Sequence, residues 1–140
     1  MKIRYALLLA IPLILACSTT FPGRLLDPEA GTDPGLLMYR HPWTRRAVET
    51  FYAEVAGSSG VSRAILRHAD TNGIPLALAF ALAWGESQFN VRALNCNPHS
   101  VDRGLYQLNS KTFPQLKAEE FYDPEISAEY GLRHMRFCLN

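Results

Sequence analysis

The chain of 140 residues lacks an excess of charge of either sign. Fourteen Lys and Arg stand against 13 Asp and Glu, for a formal net charge of +1. The basic residues are scattered, which excludes a nucleic-acid surface built on charge. No period repeats and no segment is low in complexity, so solenoids and fibrous arrays are excluded. No apolar run reaches the ~20 residues that a membrane-spanning helix takes. Cysteine is scarce, with three in the chain. Cys96 and Cys138 are far apart and the four His make no ligand pattern, so no metal site is expected. What remains is length for one small domain.

The N-terminus reads as an export signal. Lys2 and Arg4 precede an apolar run from Tyr5 to Ala16 that contains Pro12, the length of a secretory core. Ile14-Leu15-Ala16-Cys17 resembles a bacterial lipobox, which marks Cys17 for acylation and for cleavage before it. The alternative is plain cleavage with Cys17 an ordinary thiol. Acyl chains, at about 0.8 kcal/mol per buried CH₂, would hold the protein on a membrane. Loss of Lys2 and Arg4 leaves 12 basic against 13 acidic side chains, so anchoring owes little to charge. Residues 1–16 are therefore expected as signal, 17–42 as tether and 43–140 as the folded domain. The tether is rich in Pro and Gly, with Leu36, Leu37, Met38, Tyr39 and Trp43 expected to pack its end onto the domain. Export also means an oxidising compartment, where Cys96 and Cys138 either pair or stay as two free thiols. A disulfide there closes a loop of about 43 residues, worth roughly 4 kcal/mol at most.

The domain reads as mainly helical. Thr44 is the expected N-cap of a helix to Ala56 with one apolar stripe of Ala47, Val48, Phe51, Tyr52 and Val55. Gly57 to Gly60 breaks it. A second helix is expected from Ser62 to Thr71, where His68 reads as a packed or half-exposed residue, and Asn72-Gly73 ends it. Pro75 opens a third, whose residues Ile74 to Trp84 are apolar all round, the pattern of a buried helix. A loop or short hairpin spans Phe89 to Ser100. A short helix is expected over Thr112 to Glu119. Asp123-Pro124-Glu125 opens the last helix, to about Cys138.

Polarity changes within one residue at Glu86, the C-terminal end of the apolar helix. Apolar neighbours and the negative end of the helix dipole both favour the protonated form of a carboxyl placed there. A raise from about 4.3 to about 6.5 costs roughly 3 kcal/mol of differential solvation. The alternative is a solvated Glu at a helix end. Asp102 follows in a polar turn, then Gln107 and Asn109. Two such carboxylates suit glycoside cleavage, one as proton donor and the other ionised beside the developing cation. Trp84, on another face of the helix, reads as core.

Three ordered motifs then carry a resemblance. Ala83-Trp84-Gly85-Glu86-Ser87-Gln88-Phe89-Asn90 resembles the Glu-Ser signature of soluble lytic transglycosylases, the SLT domain of the lysozyme-like superfamily. Gly104-Leu105-Tyr106-Gln107-Leu108 resembles that family's Gly-Leu-Met-Gln-Ile element, and Asp123-Pro124-Glu125 with Gly131 its third motif. Ser100-Val101-Asp102-Arg103-Gly104 and Gln107-Leu108-Asn109-Ser110 also resemble a run shared by animal-type lysozymes and small specialised transglycosylases. The resemblance covers about Ser62 to Asn140.

It implies a mainly α, lysozyme-like fold with a short hairpin between the helix bearing Glu86 and the Gly-Leu-x-Gln element. It implies Glu86 as acid/base, Asp102 at the lysozymes' second carboxylate, and Ser87, Asn95, Tyr106 and Gln107 against the glycan. The implied substrate is the peptidoglycan strand, cut between muramic acid and glucosamine to leave a 1,6-anhydro end, with no metal or organic cofactor. The chain departs from the pattern at Ser127, where Asn is usual, at Asn95, where Ser is frequent, and in lacking the Tyr-Asn-Ala-Gly helix beyond Asn140. That lack implies a truncated product, a cleft completed by an envelope protein partner, or weak catalysis. A glycan-binding scaffold and a hydrolytic lysozyme using both carboxylates are the alternatives to the transglycosylase.

Overall fold

The computed structural model describes residues 33–140. The export signal, Cys17 and most of the tether lie outside the described residues. Five α-helices surround one core, with a three-stranded antiparallel sheet between the fourth and fifth. No helix among the described residues is long and apolar enough to cross a membrane.

Helix α1 (Pro34–Arg40) falls inside the expected tether. Asp33 starts it by accepting from Leu36 N at 2.9 Å, and also accepts from Leu76 N at 3.3 Å. One carboxylate thus serves two helix starts. Leu36 and Tyr39 are buried, so the packed domain begins well before residue 43. Trp43 does not pack there; it is 90% exposed.

Helix α2 (Pro42–Ala56) starts at His41, not at Thr44. Pro42 brings the φ that a first helical turn needs, and the Thr44 hydroxyl donates instead to Met38 O at 2.6 Å. Gly57, at φ 63°, ends the helix. Of the expected stripe, Val48 is buried and Tyr52 partly so, while Ala47, Phe51 and Val55 are exposed. Helix α3 (Ser59–Asn72) is capped by Ser58, whose Oγ accepts from Val61 N. It buries Ala64, Ile65, Leu66 and Ala69 at the centre of the core. His68 has a partner that its sequence position hid: its Nε2 is 3.2 Å from Glu125 Oε2 on the last helix.

Helix α4 (Leu76–Ser87) buries Leu76, Ala79, Phe80 and Ala83. It is not enclosed as its all-apolar sequence led us to expect. Ala77, Leu78, Ala81 and Trp84 are exposed, with Trp84 at 55%, because no element among the described residues crosses that side.

The chain then makes strands β1 (Leu94–Cys96), β2 (Val101–Arg103) and β3 (Leu108–Asn109), in the register Asn95 opposite Asp102 and Asp102 opposite Asn109. The helix expected over Thr112 to Glu119 does not form. Pro114 disfavours helical backbone at Phe113 before it, and the segment closes as short turns, with Leu116 N bonded to Phe113 O and Glu120 N to Lys117 O. A single 3₁₀ turn follows at Glu120–Tyr122. Helix α5 (Pro124–Leu139) begins as expected, with Asp123 Oδ1 accepting from Glu125 N at 2.8 Å and Ile126 N at 3.3 Å. It packs along α3, where Glu125 also pairs with Arg67 at 3.0 Å.

Candidate active site

Glu86 sits in the last turn of α4, where the polypeptide leaves the core. Gln88 and Phe89 follow with φ of 52° and 62°, a left-handed turn that stops the helix and sends the chain toward the sheet. Glu86 therefore stands at the lip of a cleft of about 380 Å³ between α4, the β2–β3 connection and α5. The size is that of an ordinary ligand cleft. Its walls include Leu82, Tyr106, Gln107, Asn109, Phe113 and His134.

The Glu86 side of this cleft is wetter than the apolar helix suggested. Glu86 is exposed, and among the described residues no side chain or backbone group hydrogen-bonds its carboxylate. Of the two readings of its position, the solvated Glu at a helix end is the one this open cleft presents.

The opposite wall is built tightly. Gly104 has φ 77°, and a Cβ there would collide with the Phe121 carbonyl oxygen. Only glycine lets the hairpin approach the 3₁₀ turn so closely. Two residues on, Tyr106 is 6% exposed, and its hydroxyl donates to Ala79 O on α4 at 3.0 Å. Burial holds the phenol well above the usual tyrosine range. Its ring lies against α5 at Gly131, where a Cβ would come within 2.6 Å of Tyr106 Cγ. The Tyr106 N–H is satisfied by Ser127 Oγ at 3.2 Å. A serine at 127 is thus sufficient to bind this backbone from α5.

Gln107 has φ 44°, a strained value for a residue with a Cβ. The side-chain amide returns one hydrogen bond to Gly104 O at 3.0 Å. That bond holds the side chain in the cleft while leaving the amide oxygen without a partner among the described residues. Strain of this kind is stored where the surrounding structure fixes it.

The other expected residues are placed differently. The Ser87 hydroxyl lies 2.7 Å from Leu105 O and 3.1 Å from Ala83 O. It ties α4 to the Gly-Leu-x-Gln element and does not line the cleft. Asp102 is held by two amides, Asn109 Nδ2 at 2.6 Å and Asn97 Nδ2 at 2.7 Å. Both of its oxygens are engaged, and it too is outside the cleft lining. Asn95, opposite Asp102 in the sheet, is exposed on β1 and also outside. The expected disulfide is not made: Cys96 and Cys138 are both free and exposed. Cys96 is on an edge strand of the sheet, whereas Cys138 lines the cleft from α5, with its Sγ 3.9 Å from His134 Nε2.

Sequence reasoning missed Phe113, His134, Met135 and Cys138 as cleft residues. For the last three the spacing on α5 held a signal, since His134 and Cys138 fall four apart on one helical face. Phe113 gave none, because its ring meets Tyr130 and His134 only through the tertiary fold.

A glutamate at the end of a core helix, facing a small sheet across an open cleft, defines a lysozyme-like domain of mainly α class. Comparison narrows this. The transglycosylase SLT domain family matches residues 63–140, more than half of the chain. The chain belongs to that family, whose lytic transglycosylases act on peptidoglycan in the bacterial envelope. No curated protein and no solved structure gives a significant match.

Proposed function

We propose that the protein is a peptidoglycan lytic transglycosylase in which Glu86 alone carries the proton. The observation that carries this reading is the asymmetry of the two carboxylates. Glu86 is free at the lip of the cleft, whereas both oxygens of Asp102 accept from asparagine amides away from it.

Glu86 protonates the glycosidic oxygen between N-acetylmuramic acid and N-acetylglucosamine, and the C1–O bond breaks. The resulting carboxylate takes the proton of the same muramic acid's C6 hydroxyl, whose oxygen bonds to C1. The 1,6-anhydro ring forms and Glu86 is again protonated. The attacking group is part of the substrate, so no second carboxylate is needed to hold a water or to form a covalent intermediate. Gln107, fixed by its bond to Gly104, offers its amide oxygen to a sugar hydroxyl or acetamide N–H. The buried Tyr106 ring backs the cleft wall, its hydroxyl being committed to Ala79. Cys17 carries the lipid that holds the domain at the membrane, on the peptidoglycan side.

The test is clearing of purified sacculi. Loss of a general acid costs about 10²–10⁴-fold in rate, so Glu86→Gln is expected to abolish clearing. Asp102→Asn is expected to stay within about tenfold of the parent, since it disturbs one hydrogen bond of the hairpin and no reacting group. Clearing by Glu86→Gln at the parent rate would remove the assignment. Equal loss in both variants would favour hydrolysis through two carboxylates.

A further inference from the structure

Helix α2 carries more apolar surface than the fold covers. Trp43, Ala47, Phe51 and Val55 fall four apart, one above the next along a helix. All four are exposed, with Phe51 at 58%. Beside them α4 shows Ala77, Leu78, Ala81 and Trp84. Between the two helices runs an apolar groove of about 530 Å³ walled by Phe51, Tyr52, Val55, Phe80, Trp84 and Phe89. A helix that is apolar on all sides belongs in a covered place, and α4 is such a helix with one side left uncovered by the described residues. Trp43 is 90% exposed, Phe51 58% and Trp84 55%, so the three leave roughly 400–500 Å² between them to be covered, toward the upper end of what a monomer ordinarily exposes.

The flanking charges indicate what covers it. On the side of the stripe away from the groove, Arg46, Thr50 and Glu54 form the next row along α2. Both charged residues are exposed, and neither has an ion-pair partner among the described residues. The row is symmetric about Thr50. Arg46 lies four residues before it and Glu54 four after, about 6 Å of rise each way. Two copies of α2, packed face to face and antiparallel about a two-fold axis at Thr50, set each Arg46 against Glu54 of the other copy. Both charge pairs then lie on one rim and both aromatic grooves on the other, as an isologous interface requires. The same register sets Trp43 against Gly57 of the second copy, where α2 ends and the space around the glycine is open.

We propose that the protein self-associates through α2 as a two-fold antiparallel pair, with Phe51 near its centre and two Arg46–Glu54 pairs along its rim. At 100° per residue, Ala77, Ala81 and Trp84 lie roughly opposite Leu82 and Glu86 on α4. The pairing therefore leaves both Glu86 clefts open.

Sedimentation equilibrium on the full chain in a mild non-ionic detergent tests this, the apolar N-terminal run being common to every sample. Phe51→Glu is expected to abolish the dimer with an unchanged circular dichroism spectrum. Arg46→Glu or Glu54→Arg alone sets like charges together twice and is expected to weaken association about tenfold or more. An equimolar mixture of those two variants restores both pairs, so dimer reappears as the mixed species. Equal association in all samples, or a mixture no tighter than its components, would overturn the proposal. So would flotation with phosphatidylglycerol vesicles that Phe51→Glu abolishes while every sample sediments as monomer; that result would assign the face to a lipid surface.

Discussion

Tyr106 binds three parts of the site together. Its ring fills the space left by Gly131, its N–H reaches Ser127, and its hydroxyl reaches the helix that bears Glu86. The buried phenol keeps its proton well above the usual tyrosine range, whereas in the unfolded chain it ionises near pH ~10. The folded state therefore holds the proton more tightly, and stability is full below about pH 10 and falls as pH rises above it. Tyr106→Phe is expected to cost about 1 kcal/mol at neutral pH for the lost hydrogen bond. Chemical denaturation between pH 8 and pH 11 should show a flatter alkaline decline in the variant, the pH range being about that of tyrosine ionisation. Parallel declines would show that Tyr106 does not drive it. The place of Glu86 at the end of the apolar helix was legible in the sequence because an abrupt polarity change and the Glu-Ser pair both mark it. The tasks of Ser87 and Asp102 were not. Each has a chemistry that fits a cleft, and only the tertiary fold brings Leu105 O to one and Asn97 and Asn109 to the other.

At the scale of the element, α5 is the piece whose fit to the cleft is closest. Gly131 lets it approach Tyr106 to a distance that no larger residue permits. Gly131→Ala should cost about 1–3 kcal/mol by overpacking, measured as a lower denaturation midpoint, with activity reduced by displacement of Gln107. A midpoint equal to the parent's would mean that α5 shifts freely away from the hairpin. The start of this helix was readable because capping is local: Asp123, Pro124 and Glu125 act on groups within three residues. The segment from Thr112 to Glu119 was misread for the opposite reason. Its Lys and Glu content suggested an exposed helix, but Pro114 disfavours helical backbone at Phe113 and the segment closes in local turns instead. Helix α1 was missed because a Pro- and Gly-rich stretch conceals that Asp33 can cap it and bond to α4 as well.

For the whole molecule, the described domain is held by packing and not by a covalent crosslink. Both Cys96 and Cys138 are free and exposed. Reductant is therefore expected to leave the melting temperature unchanged, and both thiols should react with a thiol reagent in the native state. A fall of several degrees on reduction would mean a disulfide that this fold does not contain, since about 1 kcal/mol shifts a domain of this size by several degrees. The helical class and the order of the motifs were legible because the apolar periodicity of α3 and the three family motifs are properties of the sequence alone. The open side of α4 was not legible. Periodicity reports that a helix is apolar all round, and cannot report whether a neighbouring element reaches every side.

In the proposed reaction one carboxylate, Glu86, cuts the glycan by intramolecular attack of the sugar. Mass spectrometry of the soluble products from purified sacculi tests it most directly, with the parent protein beside Glu86→Gln. The account predicts muropeptides ending in 1,6-anhydro-muramic acid from the parent and none from the variant. Reducing ends from the parent would contradict it and make water the acceptor, and an absence of products from folded protein would leave a glycan-binding domain in place of an enzyme.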